Sequence, residues 1–203
     1  MTDTKENILM AALRLFAKDG YEAVSVSKIA GELGITKGAL YKHYKNKRDI
    51  FDSIVERMFQ LDNELARKYS VPDSTFDNIP DQYMQIDLVN LKNFALSQYR
   101  FWTLDEFASN YRKMLTLEQY RNPELNKLFQ DCLVSGPVLY LENIFREMIS
   151  AKVLKENDPY HLAIEFFAPL FLLINMYSED SDYAKAENKL VTYIEHFIER
   201  NTI

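Results

Sequence analysis

Apolar residues recur at helical spacing from the start of the chain. The first stripe predicts one face of an amphipathic helix and comprises Ile8, Leu9, Ala12, Leu15 and Phe16. Asp3 and Glu6, three residues apart, have the spacing of a capping box and favour a helix start there. Gly20 follows the last apolar position and suits the left-handed residue that ends many helices. The pattern therefore predicts a first helix between Asp3 and Gly20.

Two short helices with a tight turn are predicted next. Ser25 is a suitable N-cap for a helix over 26–33, and Thr36 is one for a helix over 37–44. Gly34 lies between them, where glycine accommodates the positive φ of a sharp turn. The apolar positions that would lock the two helices together are Ile29, Ala30, Leu33, Ile35 and Leu40. This arrangement, over about 25–44, is typical of a helix-turn-helix.

The rest of the chain is also predicted to be helical. Asn46 can cap a long helix over 47–69, and a loop with two prolines follows over 70–80. Further helices are predicted over 81–100, 104–120, 123–152 with a break near Gly136 and Pro137, 159–178 and 183–200. The expected fold is all-α, with an N-terminal three-helix domain (2–62) joined by the long helix to a C-terminal helical domain (63–203).

The segment 162–176 is apolar on almost every face, with Glu165 and Asn175 as its polar exceptions. It is shorter than the roughly 20 apolar residues that a membrane-spanning helix needs, so no membrane span is expected. A helix that is apolar all round is buried on every side. We therefore expect a second copy of the chain to cover one face, although a deep core within one chain is the alternative. The predicted homodimer interface comprises Phe166, Leu170, Ile174, Leu190, Ile194 and Phe197.

Charge is unevenly distributed along the chain. Its 203 residues carry 24 basic and 30 acidic side chains, a formal net charge of -6, so the whole molecule repels phosphate. Between residues 28 and 48, however, the single acid Glu32 accompanies six bases: Lys28, Lys37, Lys42, Lys45, Lys47 and Arg48. A nucleic-acid surface must therefore be a local patch on the helix-turn-helix, unless this cluster is only a solvated face.

Cysteine content and the N-terminal sequence bear on the cellular compartment. Cys132 is the one cysteine of the chain and has no partner for an internal disulfide. The first ten residues show no signal-peptide pattern. Both features favour a reducing, cytoplasmic location.

The lysine-rich second helix of a helix-turn-helix can lie in the major groove of DNA. From Ile8 to Phe51 the sequence resembles the DNA-binding domain of the tetracycline-repressor (TetR) family of transcriptional regulators. The resemblance is carried by Ala12, Leu15, Phe16, Gly20, Ile29, Ala30, Gly34, Lys37, Gly38, Leu40, Tyr41, His43, Tyr44, Lys47 and Phe51. Less closely, Leu117, Glu118, the segment 121–125 and the last two helices resemble the family's ligand-binding and dimerisation domain.

The resemblance implies a ligand-responsive, sequence-specific transcriptional regulator rather than an enzyme. Its homodimer would occupy operator DNA and be released by a small-molecule inducer. Near base edges the resemblance places Thr36, Lys37, Gly38 and Ala39. One turn on, against bases or phosphates, it places Lys42 and His43. On the phosphate backbone it places Ser25, Tyr41 and Lys47.

An aromatic cluster in the middle of the chain indicates where an inducer would bind. In a helical domain whose relatives bind small molecules, such side chains can line a largely apolar cavity, although an ordinary core is the alternative. The predicted ligand-binding residues are Tyr99, Trp102, Phe107, Tyr111, Met114 and His161. The inducer is accordingly expected to be largely apolar, with one or two polar groups.

The sequence contains no evident catalytic or metal-binding constellation. Its three histidines and one cysteine are scattered, and His161 with Glu165 supplies only two potential metal ligands at i, i+4 spacing. No metal and no cofactor is therefore expected, and an enzyme is the least supported function. The alternative to a regulator is a helical small-molecule binding protein without DNA readout, from which an operator-binding assay would distinguish it.

Overall fold

The computed structural model describes residues 4–69, 87–176 and 182–203, in which the regular elements are α-helices and no strand is formed. In chain order they are α1 (Thr4–Asp19), α2 (Val26–Glu32), α3 (Lys37–Leu40), α4 (Lys47–Lys68), α5 (Leu88–Leu104), α6 (Glu106–Glu118), α7 (Pro123–Leu133), α8 (Ser135–Ser150), α9 (Pro159–Met176) and α10 (Tyr183–Asn201). The predicted all-α fold is confirmed. The predicted cap Asp3, the predicted loop 70–80 and the predicted helix start at residue 81 lie outside the described residues.

Polar side chains start α2, α3 and α4 where the sequence predicts. The hydroxyl oxygens of Ser25 and Thr36 each accept the backbone N–H three residues further on, at 3.2 and 3.1 Å. The carboxamide oxygen of Asn46 does the same at 2.9 Å. Each cap satisfies an N–H that has no partner within its own helix, so the three helix starts are fixed locally.

Glycines with positive φ end α1 and α2, as predicted: φ is +88° at Gly20 and +64° at Gly34. The Gly34 N–H donates to Gly31 O at 3.1 Å, and the Ile35 N–H donates to Ala30 O at 3.0 Å. These bonds satisfy the last carbonyls of α2 and turn the chain towards α3.

The chain forms two compact units, and both are discontinuous in sequence. Unit 1 comprises Met1–Leu61 and Asp105–Phe129, and unit 2 comprises Asp62–Leu104 and Gln130–Ile203. In unit 1, α6 packs against α1, and α2 packs against both α1 and α3. The compact unit around the helix-turn-helix therefore includes α6 and most of α7, which lie beyond the predicted boundary at residue 62.

Unit 2 is a helical bundle with an aromatic centre. Within it, α9 packs against α8 and α10, and α5 contacts both α9 and α10. The rings of Phe145, Phe166 and Phe197 form a triangle with centroid separations of 5.1 to 5.6 Å. One face of each of the helices α8, α9 and α10 is thus buried within a single chain.

The six residues of the predicted dimer interface all lie in this internal core. None of their side chains is more than 6% exposed: Phe166, Leu170, Ile174, Leu190, Ile194 and Phe197. They are buried because the apolar stripe of α10 covers the inner face of α9 within one chain. The large apolar side chains that these two helices expose are instead Tyr160, Ile164, Leu172, Met176 and Tyr193.

Several helix boundaries differ from the prediction, the largest differences being the end of α3, the end of α5 at Leu104 rather than residue 100, and the position of the break before α8. α3 ends at Leu40 rather than residue 44, because the N–H groups of Lys42 and His43 donate to carbonyls three residues back and tighten the chain into a turn. The break in 123–152 falls at Val134, one residue before α8 begins. Pro137 consequently lies in the first turn of α8, where its missing N–H leaves no helical bond unmade.

Candidate nucleic-acid interface

The short helix α3 is fixed by one face and presents the other to solvent. Leu40 is fully buried, together with Ile29 and Ala30 of α2. Side chains of the opposite face and the following turn are exposed: Lys37, Gly38, Tyr41, Lys42 and His43. The sequence therefore places a set of predicted DNA-contacting residues on one rigidly held surface.

Three lysines of this surface, Lys37, Lys42 and Lys45, form no ion pair within the described parts of the chain, and all three are exposed. Lys28 of the neighbouring helix is different, since its ammonium lies 2.9 Å from the Asp19 carboxylate. Uncompensated positive charge is thus concentrated at 37–45. Such a local patch can attract phosphate although the net charge of the chain is -6.

Arg48, the sixth base of the cluster, is engaged by acids of its own unit. Its guanidinium lies 2.7 Å from Asp52 and binds the Glu124 carboxylate through two nitrogens, at 2.7 and 2.5 Å. Hydrogen bonds to Glu124 and Asp52 raise the pKa of Arg48 above its ordinary value, and the bond from Arg48 lowers the pKa of Glu124. The charge of Arg48 is therefore compensated before any DNA approaches.

Gly38 is not required by packing within the chain. Its φ is not in the left-handed region, and a Cβ added there would meet only Thr36 Oγ1, at an ordinary 3.8 Å. A glycine inside a helix costs about 1 kcal/mol relative to alanine. A glycine that the fold does not require is expected where a backbone approaches a ligand closely.

The capping hydroxyls of Ser25 and Thr36 keep a donor available. Each oxygen accepts a backbone N–H, while its own hydrogen can still be donated outward. Both residues are exposed. Tyr41 is 49% exposed and offers a phenol to the same side of the molecule.

Lys47 is engaged differently from the other predicted phosphate contacts. Its ammonium donates to Tyr21 O at 2.9 Å, lies 3.5 Å from Glu22 O and sits 4.2 Å from the centre of the Tyr21 ring. The side chain is only 23% exposed. Lys47 therefore ties the start of α4 to the turn between α1 and α2.

The helix-turn-helix lies in a part of the chain that matches known proteins. Residues 8–54 match the family model of bacterial regulatory proteins of the tetR family. An HTH-type transcriptional regulator of Staphylococcus aureus (strain USA300) is 27% identical over 185 residues, which cover 88% of this chain and 96% of that protein. Residues 8–54 therefore have the sequence of a TetR-type DNA-binding domain. The proteins to which the chain is similar are transcriptional regulators rather than enzymes.

Other relatives match more locally or by fold. AcrR of Shigella flexneri is 40% identical over 67 residues, and YerO of Bacillus subtilis is 38% identical over 76 residues. These matches cover about a third of this chain, but only 31% and 26% of those two regulators. The structure of SmeT, a repressor from Stenotrophomonas maltophilia, has a TM-score of 0.63 at 19% identity, covering 100% of this chain and 92% of SmeT.

Sequence reasoning assigned Glu118 and Glu124 to the C-terminal domain and missed their contacts with the helix-turn-helix unit. Glu118 ends α6 with 2% exposure and accepts the Tyr21 N–H at 2.9 Å, and Glu124 at the start of α7 holds Arg48. Both acids lie more than 60 residues beyond the helix-turn-helix in sequence. One feature of the sequence could have indicated the role of Glu118, since it is a glutamate at the end of the otherwise apolar face of α6.

Five of the six predicted ligand-binding residues are divided between the two compact units, and the sixth, His161, is on the surface of unit 2. Tyr99 and Trp102 are buried in unit 2, whereas Phe107, Tyr111 and Met114 are buried in unit 1. His161 lies on the surface of α9 with its side chain 77% exposed, 3.5 Å from Asp158. A shallow pocket of about 380 Å³ lies along α10, and none of the six predicted residues lines it.

The structure offers no metal centre within the described residues, where no group of three potential ligands comes together. Glu165, which shares a helix face with His161, is paired with Arg200. By length and composition alone α9 is apolar enough to cross a membrane. Its inner face is packed inside unit 2, as in the core helix of a bundle, so it is not a membrane span.

Proposed function

We propose that this protein is a cytoplasmic, homodimeric repressor that occupies an operator and is released by a small, largely apolar inducer. The observation that carries the proposal is the exposed surface of α3 and its following turn. That surface combines three lysines without ion pairs, a glycine that the fold does not require and two capping hydroxyls.

Within this proposal the residues of the surface have separate tasks. Those that open α3 read base edges in the major groove: Thr36, Lys37, Gly38 and Ala39. Ser25 and Tyr41 bind phosphate, and Lys42 and His43 contact bases or phosphates one turn on. Phosphate contacts provide affinity and its salt dependence, while the base contacts provide specificity. Lys47 acts by holding the turn before α2.

The proposed second subunit covers the outer face of α9. Ile164, Ala168, Leu172 and Met176 are spaced four residues apart and exposed, and Tyr193 of α10 is exposed as well. A stripe of this length on a helix whose other face is already buried fits a second copy of the same chain. TetR-family regulators form dimers, which supports this choice of partner.

Inducer binding is proposed for unit 2, with Tyr99 and Trp102 among its apolar side chains. A polar partner that the sequence did not indicate is Asp62, whose carboxylate accepts a hydrogen bond from the Gln98 carboxamide at 3.2 Å. The neighbour in fold, SmeT, is described as the repressor of a multidrug efflux pump, and one of its structures is a complex with triclosan. That relationship supports small-molecule release without identifying the inducer.

The proposal is tested by selecting duplexes from a random-sequence library with the purified protein. Fluorescence anisotropy then measures binding to the selected duplex and to a scrambled duplex of equal length. A selected site with two-fold symmetry, bound at least about 1,000-fold more tightly than the scrambled duplex, is the expected result. Equal binding to both duplexes would instead favour a helical small-molecule binding protein without DNA readout.

A further inference from the structure

Glu118 is a buried acid at the end of α6, next to the turn between α1 and α2. It is not among the residues proposed to contact DNA or an inducer. Among the described residues it is the one buried charged side chain, with 2% exposure. Removing a carboxylate from water is unfavourable unless the protein supplies hydrogen bonds to it. The partners of Glu118 therefore indicate why an acid is present at this position.

The turn between α1 and α2 is built around the Glu118 carboxylate. Its Oε1 accepts the backbone N–H of Tyr21 at 2.9 Å. Gly20 precedes Tyr21 with a φ of +88°, and a Cβ added at Gly20 would lie only 2.5 Å from the same oxygen. Glycine is thus needed at position 20 both for its backbone conformation and for the space that the carboxylate occupies.

Lys47 holds the other backbone group of Tyr21. The Lys47 ammonium donates to Tyr21 O at 2.9 Å, while the Tyr21 ring packs against Phe16 and Phe51 at centroid distances of 5.1 Å each. An acid from α6 and a base from α4 therefore bind the N–H and the C=O of one residue. All of these groups belong to unit 1.

We propose that Glu118 is a positioning residue for operator recognition, which it serves without touching DNA. With Lys47 it fixes the Tyr21 turn, from which α2 starts four residues later at its cap Ser25. The angle of α2, and of α3 packed upon it, then follows from this turn. The inference rests on the proposed operator binding and adds a residue from outside the helix-turn-helix to it.

The test compares Glu118→Ala with Glu106→Ala. Glu106 begins the same helix, is exposed and pairs with Arg14 of α1, so its removal breaks an α1–α6 contact without affecting Tyr21. With the selected duplex, Glu118→Ala should weaken binding about tenfold, because the partly buried Tyr21 N–H loses its acceptor. Glu106→Ala should stay within about twofold of wild type.

Three further readouts separate positioning from a general loss of structure. The ratio of affinities for selected and scrambled duplexes should fall in Glu118→Ala, while the salt dependence of scrambled-duplex binding stays unchanged, because no phosphate contact is removed. Glu118→Gln keeps an acceptor oxygen and should restore most of that ratio. Thermal melts followed by circular dichroism confine the comparison to temperatures at which every variant is folded.

The possible outcomes are distinct. If the wild-type protein selects no duplex, the proposed operator binding fails and the inference fails with it. If the wild type selects a duplex and Glu118→Ala keeps the wild-type affinity ratio, operator binding stands and the positioning role is refuted. If Glu118→Ala does not fold, Glu118→Gln decides, because its carboxamide oxygen is a weaker acceptor than a carboxylate. Its Tyr21 N–H should exchange faster than in wild type, and its ratio of affinities for selected and scrambled duplexes should be measurably below the wild-type ratio. A Glu118→Gln protein identical to wild type in both measurements would contradict the inference.

Discussion

At the scale of single residues, three glycines of the DNA-binding unit differ in the reason that glycine is present. Gly20 and Gly34 have positive φ, and Gly20 also makes room for a carboxylate. Gly38 has neither requirement, since its surroundings would accept a Cβ. Gly38 thus lies on the proposed DNA-binding surface, where a side chain would hinder the close approach of DNA.

Gly38→Ala should therefore act in opposite directions on stability and binding. The variant should be more stable by about 0.5–1 kcal/mol, because alanine loses less conformational entropy in a helix. Its affinity for the selected duplex should fall about tenfold or more, because the added methyl group holds α3 away from the bases. Thermal melts and anisotropy titrations measure the two effects. Unchanged DNA affinity would show that α3 does not approach DNA at this point.

Lysines of equal formal charge should differ in their contribution to DNA affinity. Lys37→Ala should weaken binding to the selected duplex about tenfold, because its exposed ammonium has no ion pair within the described residues. Lys28→Ala is the matched control on α2. Its ammonium is already 2.9 Å from Asp19, so a change within about twofold is expected. A larger loss for Lys28→Ala than for Lys37→Ala would contradict the assigned surface.

Asp62 should make the stability of the protein depend on pH. Burial raises its pKa above the ordinary value of 3.8, and the bond from Gln98 offsets this only in part. The folded chain therefore holds a proton at pH values where the unfolded chain has released it, so this group lowers stability as pH rises from 3.8 through its folded-state pKa. Asp62→Asn should be more stable than wild type at pH 7, and the gain should vanish below pH 3.8. Chemical denaturation across this range tests the sign.

At the scale of helices, the sequence predicted those helix ends that depend only on neighbouring residues. The caps at Ser25, Thr36 and Asn46 and the glycine stops are properties of a few adjacent residues. The partner of an apolar face is not such a property, because the stripe of α10 suits an intrachain or an interchain neighbour equally well. The end of α3 was missed for a related reason, since Tyr41–Tyr44 has helical composition but forms a tight turn.

Substitutions on the outer and inner faces of α9 should have different effects. Leu172 is 57% exposed and Leu170 is 6% exposed. Leu172→Asp should leave the fold intact and convert the proposed dimer to monomer in sedimentation velocity at micromolar concentration. Leu170→Asp should instead lower the melting temperature sharply, because it buries an unpaired charge within one chain. Dimers that persist in Leu172→Asp would place the interface elsewhere.

At the scale of the whole molecule, the candidate site depends on contacts that no local motif encodes. The helix-turn-helix surface was predictable residue by residue, because cap, turn and charge all lie within 25–48. Its support by Glu118 and Glu124 was not, because packing of α6 against α1 joins segments that are far apart in sequence. Likewise the aromatic cluster from Tyr99 to Met114 reads as one set along the chain but is divided between two units.

The discontinuity of unit 1 has a consequence for synthesis of the protein. When Leu61 leaves the ribosome, every element of the helix-turn-helix exists, but α6 and α7, which complete the unit, have not been made. Translating the 68 residues from there to Phe129 takes about 3–14 s at roughly 5–20 residues per second. During this interval the apolar side of α1 that α6 will cover stays accessible to chaperones and proteases. A nascent regulator should therefore acquire stable DNA-binding competence only after the first segment of unit 2, Asp62–Leu104, has also emerged.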